Sequence, residues 1–342
     1  MPADFGYINA RVKGMRSRLL PPGRLEELLG VPDLDSFLQA LVNTPYGAEL
    51  QEALTRYQGL RAVDEALSRA FQKAARRVLS FADGKPRTLI QVLLLHWDVH
   101  NLRAVLRGKH SGHPPEAVEA TLIPAAELSD VRLRELLQQP DVAAVISTLA
   151  TWGHPLAEAL ASSLPGYQDS HNLLSLELAL DRAYYDWALR AARGRGYDAA
   201  RVKELVRTQV DFTNVKTAFK VQQVPELTPD QRERFFLEGG AVVTRNVFRN
   251  LADPRTAEVG LRELRARGIH PEGISPAEVE RWLEQEATRR MAALYLGDPL
   301  GVDVVVGYLT LLANEIRNLR LIARSKALGI PRDLVRREMA LV

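Results

Sequence analysis

The amino-acid sequence predicts an all-α protein of three similar helical domains. Apolar residues recur with the helical period along most of the chain, and clean period-2 stretches are scarce. In addition, one charged segment occurs three times in a regular register. Leu, Ala, Arg and Glu, all good helix formers, are abundant.

Taken in order, the first long helix falls at Asp64 to Leu79, with Ala66, Leu67, Ala70, Phe71, Ala74, Ala75 and Val78 on one face. Ser175 to Ala192 repeats the pattern through Leu176, Ala179, Leu180, Ala183, Tyr184 and Trp187. A helix start is expected at Ser275-Pro276-Ala277-Glu278, with a Ser cap, Pro in the first turn and Glu at the capping-box position. Gly301 to Ala313 is the richest apolar stretch, yet it contains Asp303 and ends at Asn314-Glu315, short of the ~18 apolar residues of a membrane span. Breaks are expected at Pro21-Pro22-Gly23, Gly108 to Pro115, Pro225 to Pro229, Gly239-Gly240, Gly268 to Pro276 and Gly329-Ile330-Pro331. The opening Met1-Pro2-Ala3-Asp4-Phe5 lacks the basic and apolar regions of a signal peptide.

The repeats set the domain plan. Ala66-Leu67-Ser68-Arg69-Ala70-Phe71 matches Ala179-Leu180-Asp181-Arg182-Ala183-Tyr184 at an offset of 113 residues. About thirty residues further on, Asp98 to Arg107 matches Asp211 to Lys220 at the same offset of 113. A third copy runs from Glu315 to Arg324, 104 residues after the second. A weaker echo joins Tyr46-Gly47-Ala48-Glu49-Leu50-Gln51-Glu52-Ala53-Leu54 to His154-Pro155-Leu156-Ala157-Glu158-Ala159-Leu160. Three repeats therefore account for the chain, with expected domains at 1–115, 116–225 and 226–342.

Each copy of the segment reads acid-x-x-Asn-apolar-base-x-x-x-base: Asp98, Asn101, Arg103 and Arg107; Asp211, Asn214, Lys216 and Lys220; Glu315, Asn318, Arg320 and Arg324. On a helix of ~100° per residue the acid and the Asn share a face, whereas the first base lies roughly 140° away from the acid. The acid is thus available to another element, and the set is expected to tie adjacent helices or repeats together, with the Asn bonding backbone at a helix crossing. The competing reading, three acid–base catalytic sites, is the weaker one, because repetition follows more simply from repeated architecture.

Composition and motifs exclude several classes. There is no cysteine, hence no disulfide, thiolate metal site or cysteine nucleophile. No phosphate-binding G-x-x-x-x-G-K-[ST] and no G-x-S-x-G elbow occur, and Gly194-Arg195-Gly196 stands without the rest of a dinucleotide fingerprint. His96 and His100 have zinc-helix spacing, but Trp97 stands where the general-base Glu belongs, so they read as structural histidines. No catalytic residue, cofactor or metal is expected. The net charge of +3 is small for 342 residues. The basic stretch from Arg317 to Arg337 reads as a solvated face, with nucleic-acid binding as the alternative.

The ordered set of motifs resembles a known family. Asp4-Phe5-Gly6-Tyr7-Ile8-Asn9-Ala10-Arg11-Val12-Lys13 with Ser17-Arg18-Leu19-Leu20, then Pro45 to Leu50, Asp98 to Arg107, and Asp298-Pro299-Leu300-Gly301 through Arg320, is similar to the C subunits of V/A-type ATPases, the prokaryotic counterparts of the d subunit of eukaryotic V-ATPases. The resemblance covers essentially the full length and rests on the ordered, triplicated set rather than on any single motif. It implies a funnel of three helical domains about a pseudo-threefold axis. The implied role is a non-catalytic central-stalk component, one copy per complex, between the D and F axle subunits and the membrane ring of proteolipid L subunits. It also implies a cytoplasmic place at the membrane periphery, no membrane span of its own and no nucleic acid. An unrelated all-helical repeat scaffold is the alternative.

Overall fold

The computed structural model describes residues 4–119, 121–272 and 275–342. The Met1-Pro2-Ala3 part of the signal-peptide reading, and Gly273 and Ile274 within the last expected loop, lie outside the described residues. The described residues form α-helices and one short 3-10 turn, with no strand among them. In chain order the helices are α1 (Phe5–Arg16), α2 (Pro22–Gly30), α3 (Leu34–Val42), α4 (Gly47–Leu54), α5 (Gly59–Ser80) and α6 (Gly84–His110). There follow α7 (Pro115–Glu119), α8 (Asp130–Gln138), α9 (Val142–Thr151), α10 (Ala157–Ser170), α11 (Leu174–Ala191) and α12 (Tyr197–Gln222). The last are α13 (Pro229–Glu233), α14 (Arg245–Ala252), α15 (Ala257–Ala266), α16 (Pro276–Ala293), α17 (Asp303–Leu328) and α18 (Arg332–Glu338). No described helix is long and apolar enough to cross a membrane.

The helices divide between two compact units, one comprising Met1–Leu180 and Met291–Val342, the other Asp181–Arg290. In the first unit α17 is the central element. Val304, Val305, Val306, Tyr308 and Leu309 are all buried, so this segment is buried around its whole circumference rather than along one stripe. Gly307 permits this: a Cβ there would lie 2.2 Å from the backbone nitrogen of Tyr295. By contrast α5 is amphipathic, burying Ala62, Val63, Ala66, Leu67, Phe71, Ala75 and Val78. The second unit packs α12, α14, α15 and α16 around Phe212, Phe219, Phe236, Phe248, Leu251, Leu264 and Leu283. Phe236 and Phe248 meet edge to face at 5.5 Å between centroids.

Short helices begin by a common device. Ser129 caps α8 through the Arg132 amide and Thr244 caps α14 through the Val247 amide, while α2 starts on Pro21-Pro22. Pro21-Pro22-Gly23 is therefore a helix start, because proline suits a first turn whose amides have no carbonyl partner. Asp33 and Asp141 cap α3 and α9 in the same way, with the amides of Ser36 and Ala144 each 2.8 Å from the carboxylate. The expected capping box at Ser275 forms, with the Ser275 amide donating to Glu278 at 3.0 Å and the Glu278 amide to the Ser275 hydroxyl at 3.3 Å.

Candidate functional site: the repeated carboxylate–asparagine pins

The repeated acid and Asn of each long helix are buried. Asp98, Asn101, Asp211 and Asn214 are 0–1% exposed, and Glu315 and Asn318 are 4% and 1% exposed. Their backbone partners belong to loop segments, and the Asn residues bond Ile123, Leu237 and Ala340, all outside helices. The Asn101 amide donates to the Ile123 carbonyl and accepts from the Ile123 N–H, both at 2.8 Å. Asn214 does the same with Leu237, again at 2.8 Å in both directions. Asn318 donates to the Ala340 carbonyl at 3.0 Å, and Asn314 shares that carbonyl at 2.7 Å. A side-chain amide satisfies a donor and an acceptor together, which suits an extended segment laid on a helix whose own backbone groups are already bonded.

The acids hold the residue just ahead of the N-cap of a short helix. Asp98 accepts from the amides of Glu127 at 2.9 Å and Leu128 at 3.3 Å, just before the Ser129 cap of α8. Asp211 accepts from three consecutive amides, Ala241 at 2.9 Å, Val242 at 3.0 Å and Val243 at 2.8 Å, just before the Thr244 cap of α14. Gly240 makes this approach possible, since a Cβ there would sit 2.3 Å from Asp211 Oδ1. Glu315 turns to the start of the chain and accepts from the Leu20 amide at 2.8 Å, just before Pro21 and α2.

Two of the three acids take a further side-chain donor. His154 Nε2 lies 3.5 Å from Asp98, and its Nδ1 accepts from the Leu156 amide at 3.3 Å, which assigns the ring proton to Nε2. The Tyr46 hydroxyl donates to Glu315 Oε1 at 2.7 Å. Tyr46 follows Leu20 by 26 residues and His154 follows Leu128 by the same 26. Tyr46 and His154, which open the two echoed segments, are thus equivalent donors. Burial raises the carboxyl of Asp98 above its ordinary value, His154 and the two amides opposing it. Burial likewise lifts Glu315 to about 7, against the Tyr46 hydroxyl, the Leu20 amide and the charge of Arg16.

The bases face other long helices. Arg107 forms a two-point pair with Glu177 of α11, its second bond 2.8 Å long. Lys216 and Lys220 both reach Glu280 of α16, at 2.5 and 3.1 Å. Arg320 and Arg324 reach Asp64 of α5, at 3.3 and 3.2 Å. Arg320 also donates to the Ser68 hydroxyl at 2.6 Å and lies 3.3 Å from the Leu122 carbonyl. Arg103 is partly buried on α6. The partner acids went unread in the sequence, although Asp64 and Glu177 are 113 residues apart, the register of the first two repeats, and Glu280 follows at 103. Each long helix thus contacts the acid of the next copy, and the third returns to the first. Burial outweighs both arginines and leaves Asp64 above its ordinary value. At the more open Glu280, burial is outweighed by Lys216 and Lys220, and the carboxyl lies below its ordinary value.

The acids are satisfied by fixed backbone amides, and no group of three or more potential metal ligands occurs among the described residues. His96 and His100 each pack edge-on against Trp97.

With that architecture in hand, the relatives are informative. The family model for the ATP synthase (C/AC39) subunit matches residues 8–338. The chain belongs to that family, the C subunits of V/A-type ATP synthases. It is 35% identical over 342 residues to the V-type ATP synthase C subunit of Thermus thermophilus, covering 99% of each chain. It is 30% identical to that of Deinococcus radiodurans over 99% of this chain and 92% of the relative. The A-type ATP synthase C subunit of Haloferax volcanii is 28% identical over 98% of this chain and 97% of the relative. As a C/AC39 family member the chain carries the pins at positions inside the matched region, from Asp98 to Arg324.

Proposed function

We propose that this chain is the non-catalytic central-stalk component of a rotary V/A-type ATPase. In this role it couples the D and F axle subunits to the membrane ring of proteolipid L subunits, so that proton or sodium translocation drives, or is driven by, ATP turnover. The observation that carries this reading is the full-length family match from residue 8 to 338. The pins supply a physical reason for it. A torque coupler needs helices that do not slide on one another, and the buried two-point bonds of Asn101 and Asn214, with the two donors Asn314 and Asn318 on the Ala340 carbonyl, oppose sliding of each long helix on its loop. Three domains in a pseudo-threefold funnel, divided at 1–115, 116–225 and 226–342, agree with the cyclic order of base–acid partners. One copy would serve each complex, at the cytoplasmic periphery of the membrane, held there by the ring and not by a span of its own.

Mixing the purified chain with a D–F pair, and separately with detergent-held proteolipid ring, tests the proposal. Stable, stoichiometric association with both is expected. Failure to bind either would overturn the coupling role and leave a family member that serves as a helical scaffold as the better reading. Steeply salt-dependent retention of nucleic acid would instead favour the basic C-terminal stretch as a binding surface.

A further inference from the structure

The third pin differs from the other two in what it joins. Asp98 and Asp211 hold residues about thirty positions downstream, whereas Glu315 holds Leu20, 295 positions away, and Tyr46, 269 positions away. These two contacts bracket the segment that carries α2 and α3 and leads into α4. The Glu315 carboxylate is therefore a clasp between the N-terminal helices and α17.

Its chemistry is unusual for a buried acid. Both direct donors are neutral, an amide and a phenol. Arg16 of α1 bears on the carboxylate through its charge, without a direct bond to it. Tyr308, one helical face along α17, adds no proton of its own, and burial pushes its hydroxyl up to about 12. Arg18 and Arg77 face Tyr308, while Glu49 of α4 acts on Tyr46, whose hydroxyl burial holds well above its ordinary value. Arg16, Asn314 and Val342 line the small cavity beside Glu315. Protonating Glu315 removes a buried negative charge without losing a hydrogen bond. One oxygen still accepts from the Leu20 amide, and the new carboxyl O–H donates to the Tyr46 oxygen, reversing the direction of that bond.

We propose that Glu315, Tyr46 and the Leu20 amide form a proton-tightened clasp, which makes the attachment of the N-terminal helices to α17 stronger when Glu315 is protonated. The clasp works near neutrality, because burial has moved this carboxyl to about 7. Among the described residues Asp211 has three backbone amides and no side-chain donor in its pin, and so no counterpart of the phenol switch.

Hydrogen–deuterium exchange of the full chain at about pH 6 and about pH 8, corrected for intrinsic amide chemistry, tests this. Linkage between an ordinary carboxyl in the opened state and one near 7 in the closed state predicts exchange of residues 20–54 roughly tenfold slower at the lower pH. The segment after Asp211, residues 241–252, serves as the internal reference and should show no such ratio. Glu315→Gln should abolish the pH ratio in 20–54, and Tyr46→Phe should shift it to higher pH. A ratio near one in the unaltered chain, or a full ratio surviving in Glu315→Gln, would overturn the proposal. If Glu315→Gln does not fold, Tyr46→Phe decides alone, and an unshifted profile counts against the clasp.

Discussion

The pins at Asp211 and Glu315 perform one task with different chemistry. Asp211 lies in a concave run of three amides, opened by Gly240, and these partners come from the segment between α13 and α14. Glu315 reaches one amide and one phenol at the other end of the chain. A carboxylate met by several backbone donors is satisfied as an anion. One met by two neutral donors in a buried setting is satisfied better as an acid. The repeated architecture thus accommodates a pin built on backbone amides in one copy and a pin shared with a phenol in another.

Loss of Asp211 should have the largest effect. Asp211→Ala strands three amides, of which that of Val243 is buried, and is expected to cost about 3 kcal/mol or more in urea unfolding of the second unit. Gly240→Ala should approach that cost, because its methyl would fall on Asp211 Oδ1. Glu315→Ala should cost less, about 1–2 kcal/mol at neutral pH. It strands the Leu20 amide and the Tyr46 hydroxyl but also removes a buried charge. A smaller loss for Asp211→Ala than for Glu315→Ala would break the comparison.

The pH dependence sharpens it. The folded chain holds Glu315 at about 7, above its ordinary 4.5, so between these values the folded state binds more protons than the unfolded state. Stability should therefore fall as pH rises from 4.5 to 7, by up to ~3 kcal/mol from this group. Asp98 and Asp64 are shifted in the same direction and add to the trend. Thermal unfolding of the unaltered chain and of Glu315→Gln across this range should show a shallower slope in the variant.

The base–acid pairs give the smallest effects and a second contrast. Arg320 is 6% exposed and bonded to Asp64, Ser68 and Leu122, whereas Lys220 is about half exposed at Glu280. Asp64→Ala leaves Arg320 buried beside no carboxylate and should cost about 3 kcal/mol. Lys220→Ala should cost under ~1 kcal/mol, since Lys216 still holds Glu280 and an exposed pair contributes little. A double-mutant cycle on Asp64 and Arg320, set beside one on Glu280 and Lys220, measures the difference directly.

Much of this was legible in the sequence. Apolar spacing located α5 and α11, because a helix shows its buried stripe in strictly local order. The register of 113 residues revealed the repeats and, through Asp64 and Glu177, held the base partners as well. The backbone partners were hidden. An amide has no residue type, so nothing in the letters at Ile123, Leu237 or Ala340 signals that an asparagine bonds there. Tyr46 and His154 open the two echoed segments, but a phenol and an imidazole share no sequence signal that both reach an acid. The Leu20–Glu315 contact spans nearly the whole chain, beyond the reach of any local pattern.

Coupling in the assembled enzyme tests the central claim most directly. Membrane vesicles carrying the rotary complex should hydrolyse ATP with or without this chain, but should pump ions only when it is present, and adding the purified chain back should restore pumping. Ion pumping that persists at full rate after the chain is removed would contradict a role in coupling axle to ring.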